Sequence, residues 1–309
     1  MTDSSWQSWQ NRLLVGVMGF IVRRQRRNKP SPGYRGVRRA LERTGERLRP
    51  AKDVRWSAVD VGGVPGEWVE APGARPGHAL LYLHGGGYVS GSPVSHRYLT
   101  GELSRHSAAR VLAIDYRLAP EHVFPAALDD AVAAYTWLLG QGISANKLAI
   151  GGDSAGGGLT VATLLSARER GLPQPAAAIC LSPWVDLEGA GETIKTHAHL
   201  DPMLTPIGIP IFARYYVGEA GDVRHPLVSP IHADLKELAP MLVQVGGREV
   251  LLDDARRLVA RIQAAGGRAE LEVWDHMIHV WQIFGFLPEA RRAVARLGTF
   301  LRRHMDLPE

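Results

Sequence analysis

The chain has 309 residues, 45% of them apolar, with 34 glycines, 20 prolines and one cysteine, which is ample material for a single core with many turns. The lone Cys180 excludes an intramolecular disulfide, and within the run Ala176-Ala177-Ala178-Ile179-Cys180-Leu181 it reads as a small core residue. The net charge of +5 is uneven: residues 1–55 carry +10 and the remainder −5, so the basic character belongs to an N-terminal arm.

That arm contains an apolar run, 13–22, of ten residues, too few to span a bilayer. Arg23, Arg24, Arg26, Arg27 and Lys29 follow the run instead of preceding it, and no small-residue cleavage site comes after, which argues against a signal peptide and for a cytoplasmic protein. Trp6, Trp9, Leu13, Val17, Phe20 and Ile21 recur at helical spacing and predict a helix with that face packed on the rest of the protein. The alternative is a helix lying on a membrane surface, a peripheral association. No recognised motif accompanies the basic arm, so a nucleic-acid partner is not expected.

Strands are predicted near 54–61, 66–71, 79–83, 110–114, 147–150, 176–181, 241–245 and 269–274. Helical stretches at 126–139, 155–170, 254–265 and 288–304 alternate with the later ones. This is the pattern of an α/β fold: a mostly parallel central sheet of about eight strands flanked by helices. The early strands, with no helices predicted between them, are expected to form an antiparallel edge. Residues 186–222, rich in Pro and Gly, interrupt the rhythm. There is no internal repeat or low-complexity linker.

The strand at 79–83 runs into His84-Gly85-Gly86-Gly87. Three successive glycines leave backbone N–H groups unshielded for close approach to a ligand oxygen. Further on, Lys147-Leu148-Ala149-Ile150-Gly151 leads into Gly152-Asp153-Ser154-Ala155-Gly156 and then a helical pattern. Strand, G-x-S-x-G turn and helix together make a nucleophile elbow, which holds a serine hydroxyl clear of the sheet at the positive end of a helix. In such hydrolases the glycine loop supplies oxyanion-binding amides, here Gly86 and Gly87, and the amide after the nucleophile, here Ala155, supplies another.

An acid and then a histidine should follow in chain order. After the strand at 241–245 come Glu249, Asp253 and Asp254. Glu249 lies in the loop, where a side chain can reach across the sheet; the two aspartates lie where a helix starts and its dipole favours acids. After the strand at 269–274 come His276 and His279, of which His279, inside an apolar segment, is the expected base. His197 and His199 lie two apart with no third ligand apparent, so no metal or other cofactor is expected.

Taken together, His84 to Ser92, Asp115-Tyr116-Arg117-Leu118-Ala119-Pro120-Glu121-His122, Phe124-Pro125-Ala126-Ala127, Gly152 to Gly157, Leu181-Ser182-Pro183-Trp184 and Ile278-His279 resemble, in order, the bacterial hormone-sensitive-lipase-like carboxylesterases of the α/β-hydrolase superfamily. In that family the acid belongs to an Asp-x-Leu-x-Asp-Glu segment. Aligning Leu251 with its leucine implies that Glu249 replaces the usual aspartate, with Asp253 as the alternative. The resemblance also implies a helical cap from 1–50 and 186–222 over a catalytic domain of 51–185 and 223–309. The implied activity is hydrolysis of short- to medium-chain acyl esters through an acyl-enzyme on Ser154, His279 and Glu249, with a small-molecule ester as partner. A lactone hydrolase or a lipase would use the same triad. Relatives that act as small-ligand receptors, such as the plant gibberellin receptors, lose the histidine that is present here. Tyr88, after the glycines, is a candidate substrate contact, and Trp184, Phe212, Tyr215 and Tyr216 are candidate pocket walls. A homodimer is left open.

Overall fold

The computed structural model describes residues 7–28, 33–48 and 51–308, with backbone alone for 21–28. Trp6 and Lys29 lie outside the described residues, as do the side chains of Ile21, Arg23, Arg24, Arg26 and Arg27.

Two helices, α1 (Trp9–Asn28) and α2 (Tyr34–Arg47), precede the strands β1 (Arg55–Asp60), β2 (Pro65–Glu70) and β3 (Arg75–Leu83). Then come α3 (Pro93–Ser107), β4 (Ala109–Ile114), α4 (Ala126–Gly140), β5 (Leu148–Asp153), α5 (Ala155–Glu169) and β6 (Ala177–Leu181). The chain continues through α6 (Thr193–Thr196), α7 (Gly208–Val217), β7 (Met241–Gly246), α8 (Leu252–Ala264), β8 (Ala269–Trp274) and α9 (Pro288–His304). The eight strands form one sheet in the order β1-β2-β4-β3-β5-β6-β7-β8, parallel from β4 to β8. This is an α/β-hydrolase arrangement.

The inner strands are apolar along their length because both faces are covered. Leu81 and Leu83 of β3 join the cluster under α4, α5 and α8, while Leu80 and Tyr82 join the cluster under α3 and α9. All eight strands fall where periodicity places them, but the antiparallel edge is narrower than the sequence suggested. Only β2 runs against its neighbours, β1 and β4; β3 and β4 are parallel, because α3 forms a crossover between them. Ser92 and Ser95 cap α3 reciprocally and Pro93 opens it. Its interior is buried on several sides, so it shows no clean apolar stripe to read.

The face of α1 is also the reverse of the expected one. Trp9, Leu13, Val17 and Phe20 point outward, and it is Leu14, Val15 and Met18 that pack on Trp274, Met277, Ile278, Trp281 and Leu287. The helix carries apolar residues on both sides, so spacing gives a stripe without saying which stripe is covered.

Candidate active site

At the end of β5, Ser154 adopts φ 54° and ψ −120°, left-handed backbone that an L-residue takes only when its surroundings over-determine it. Its amide donates to Leu181 O at 2.8 Å and its carbonyl accepts from Trp184 N at 2.9 Å, which fixes the turn against β6 and the loop after it. A side chain at Gly156 would drive into the carbonyl oxygens of Leu83 and His84, so only glycine lets α5 start this close to β3.

The loops after β7 and β8 bring the partners. His279 Nε2 lies 2.9 Å from Ser154 Oγ, and His279 Nδ1 lies 2.6 Å from Glu249 Oε2. A carboxylate only accepts, so Nδ1 carries the proton and Nε2 is free to accept from the serine hydroxyl. Glu249 is fully buried, and its other oxygen accepts from Gly246 N at 2.6 Å and Ser182 Oγ at 2.8 Å. The Ser182 hydroxyl also accepts from Val280 N at 3.1 Å, so one serine ties the acid to the histidine loop. Burial depresses the His279 pKa, but the Glu249 carboxylate against the ring and the nearby Asp201 and Asp153 outweigh it and leave the value above that of a free histidine.

Of the competing acids, the structure brings Glu249, and neither aspartate, to the imidazole. Asp253 accepts from Thr193 N at 3.1 Å at the start of α8. Asp254 accepts from Val185 N and Asp186 N, both at 3.0 Å. Burial beside Asp186 pushes its pKa up to about 8.

The glycine loop leans on a buried polar network that sequence reasoning missed. Asp153 Oδ1 accepts from Tyr82 OH at 2.7 Å and Gly85 N at 3.0 Å, and lies 3.3 Å from His96 Nε2. His96 Nδ1 is 2.9 Å from Ser95 Oγ and 3.2 Å from Ser92 O, so both ring nitrogens have an oxygen able to accept within reach. Burial opposes both charges, yet each outweighs it for the other: His96 holds the Asp153 carboxyl below its usual range, and Asp153 holds His96 above its own. His84 is the neutral member: burial and the neighbouring His96 charge push its pKa down to about 3, and its Nδ1 donates to Gly85 O at 2.9 Å.

This pair has a pH signature. The depressed Asp153 pKa contributes stability that is present above the free-aspartate value of about 3.9 and is lost as pH falls through the folded value. The raised His96 pKa contributes stability that is present below the free-histidine value of about 6.5 and is lost as pH rises through the folded value. His96→Leu, which leaves Asp153 buried without its cation, is therefore expected to cost most between those two values. The loss should be about 3 kcal/mol, read from urea midpoints. A midpoint difference that is flat from pH 4 to 9 would contradict the pairing.

Gly86 and Gly87 have φ values of 121° and 65°. Among the described residues, no acceptor takes the amides of Gly86, Gly87 or Ala155. The ring of Phe212, on α7, lies where a side chain on Gly87 would be. Tyr88, only 1% exposed and at φ 62°, stacks on Tyr216 with centroids 3.7 Å apart and leans toward Trp184. It lies behind the glycine loop, not open at a surface. On the other side, Arg38 of α2 donates to Val89 O at 2.5 Å and Ala119 O at 2.8 Å, and Tyr34 meets Tyr215 of α7 edge-on at 5.5 Å. Elsewhere, Asp186, Glu188 and His232 bring one ligand-type atom each within 4.8 Å of one another, but Arg257 already pairs with Asp186 at 2.6 Å.

Residues 80–283 match a family described as the alpha/beta hydrolase fold. An acetyl-hydrolase of Streptomyces hygroscopicus is 46% identical over 265 residues, 85% of this chain and 87% of that one. An ethyl acetate hydrolase of Pseudomonas putida is 32% identical over 241 residues, 75% of each. Among solved structures, an esterase from the bacterial hormone-sensitive lipase family superposes with a TM-score of 0.91 at 46% identity, covering 97% of this chain and 99% of that one.

Proposed function

This chain belongs to the hormone-sensitive-lipase-like carboxylesterases, serine hydrolases of the α/β-hydrolase fold, and we propose that Ser154, His279 and Glu249 are the residues with which it cleaves esters. The observation that carries this is the unbroken chain of contacts from Ser154 Oγ through the imidazole to Glu249, at 2.9 and 2.6 Å, set on a strained elbow beside a glycine loop.

Ser154 Oγ attacks the acyl carbon while its proton passes to His279 Nε2. The carbonyl oxygen takes up the negative charge and is held by the amides of Gly86, Gly87 and Ala155. Each such donor contributes on the order of 3 kcal/mol to the transition state. The tetrahedral species collapses, the alkoxide leaves with the proton from His279, and the acyl group stays on Ser154. A water molecule then gives its proton to His279 and attacks the acyl-enzyme. The acid is released and the serine restored. Glu249 keeps the imidazole in the right tautomer and stabilises its charged form.

The substrate class is a short- to medium-chain acyl ester. Phe212 against Gly87 narrows the space beside the oxyanion amides, and relatives named for acetyl and ethyl acetate hydrolysis favour the short end. The wall that carries Phe212 belongs to a cap built from 1–50 and 186–222 over a catalytic domain of 51–185 and 223–309. The Tyr34–Tyr215 contact joins its two segments, and Arg38 fastens it over the glycine loop. Tyr88 backs the same region from beneath and shapes it through its stack with Tyr216.

A fluorophosphonate should label Ser154 and no other residue, read by peptide mass spectrometry. The purified protein should hydrolyse p-nitrophenyl esters with kcat/KM falling as the acyl chain lengthens. Labelling elsewhere overturns the assignment. Phe212→Ala is expected to move the chain-length optimum several carbons upward at little cost to acetate hydrolysis. An unchanged profile would remove Phe212 from the acyl wall.

A further inference from the structure

Four large apolar side chains stand out on α1: Trp9 is 70% exposed, Leu13 59%, Val17 47% and Phe20 63%. Single exposed apolar residues are ordinary, but four at +4, +4 and +3 spacing form a continuous stripe along one helix face. The opposite face is fastened down. Besides the packing of Leu14, Val15 and Met18, Asn11 Nδ2 donates to His276 O at 3.0 Å, and Ser8 donates from N and Oγ to Glu289 at 2.7 and 2.9 Å. A helix held this firmly does not roll its stripe inward, so the stripe stays outward.

The surrounding sequence says what the stripe meets. From residue 4 to residue 41 the chain has nine Arg and Lys and no Asp or Glu. A second copy of this chain would bring like charge against like charge. An anionic lipid surface offers apolar depth for the stripe and phosphates for the arginines. No described helix is long and apolar enough to cross a membrane, which leaves α1 the in-plane role.

We propose that α1 docks the protein in-plane on an anionic lipid surface, with Trp9, Leu13, Val17 and Phe20 in the headgroup–acyl boundary and the following basic segment on lipid phosphates. The inner face of α1 rests on the loop that carries His279, so the catalytic loop lies about 10 Å, one helix diameter, from that surface. Ester substrates dissolved in lipid would then be met where they are.

The test is flotation of the full-length protein with vesicles of phosphatidylcholine, alone or mixed with phosphatidylglycerol, at low and high salt. Wild type should float with the anionic vesicles, several-fold less with phosphatidylcholine alone, and less at high salt. Leu13→Ser with Phe20→Ser should reduce flotation about tenfold or more, since both stripe and charge are needed for firm binding. Unchanged circular dichroism and p-nitrophenyl acetate hydrolysis would show that this variant is folded. A second variant, Arg23, Arg24, Arg26 and Arg27 all to Gln, should lose the salt-dependent part. Wild type that stays in solution with anionic vesicles overturns the proposal, as does a serine variant that floats equally well. A wild-type dimer in light scattering that the serine variant splits overturns it too, and assigns the stripe to a second copy.

Discussion

Ser154→Ala is expected to lower kcat for p-nitrophenyl acetate by about a millionfold, the scale on which removing a triad nucleophile acts. The hydroxyl is the group that forms the bond to the acyl carbon, and among the described residues it is the one side chain hydrogen-bonded to His279 Nε2, at 2.9 Å. Cys180 cannot substitute: it is buried, and burial pushes its thiol pKa far up. The fold should be untouched, because the elbow is held through the Ser154 backbone, by Leu181 O and Trp184 N, and alanine keeps both bonds. KM should change little, so the loss falls on kcat. Residual hydrolysis would come from the glycine-loop amides polarising the ester toward water. A variant retaining more than a few per cent of activity, in protein cleared of wild-type contamination, would place the nucleophile elsewhere.

The parts of this site that were legible in the sequence are those that local backbone geometry demands. Gly152 to Gly156 announces a tight turn between a strand and a helix. Gly85 to Gly87 announces exposed amides after a strand. Both motifs are contiguous, so no tertiary knowledge is needed to see them. The acid needed more, since Glu249, Asp253 and Asp254 share one loop-to-helix junction, and register against the family's leucine separated them. What could not be read depends on neighbours distant in sequence. Ser182 sits in the motif Leu181-Ser182-Pro183-Trp184, yet its link between Glu249 and Val280 exists only once β6, β7 and β8 lie side by side. The His96–Asp153 pair forms because α3, packed over β2 and β4, carries the His96 ring to the end of β5, and α3 itself was hidden by its burial. The inverted face of α1 has the same origin. Periodicity located the stripe, but Trp274, Met277 and Trp281, the residues that receive the other face, come from the far end of the chain.

Glu249→Gln is expected to reduce kcat by about ten-thousandfold, the loss that follows when a triad acid becomes an amide and the histidine takes the wrong tautomer. The amide is nearly isosteric, so it fits among Gly246, Ser182 and His279. Its NH2 group, however, donates where a carboxylate oxygen accepted, and it favours a His279 protonated on Nε2, which cannot receive the serine proton. The pH profile separates this from simple loss of packing. In the wild type, the acidic limb of kcat/KM reports the His279 pKa, raised above the free value despite burial because Glu249 is charged. Without that charge, burial dominates, the imidazole becomes harder to protonate, and the limb moves to lower pH. Asp253→Asn should leave both rate and limb near wild type, because that carboxylate serves Thr193 N and the start of α8, where its loss costs less than about 1 kcal/mol. Glu249→Asp should fall between the two: the charge is kept, so the limb stays near its wild-type position, while a chain one methylene shorter weakens the contact with Nδ1. If Asp253→Asn lost activity and Glu249→Gln kept it, the carboxylate 2.6 Å from His279 would be a structural partner, and the orienting acid would have to reach the imidazole in another conformation.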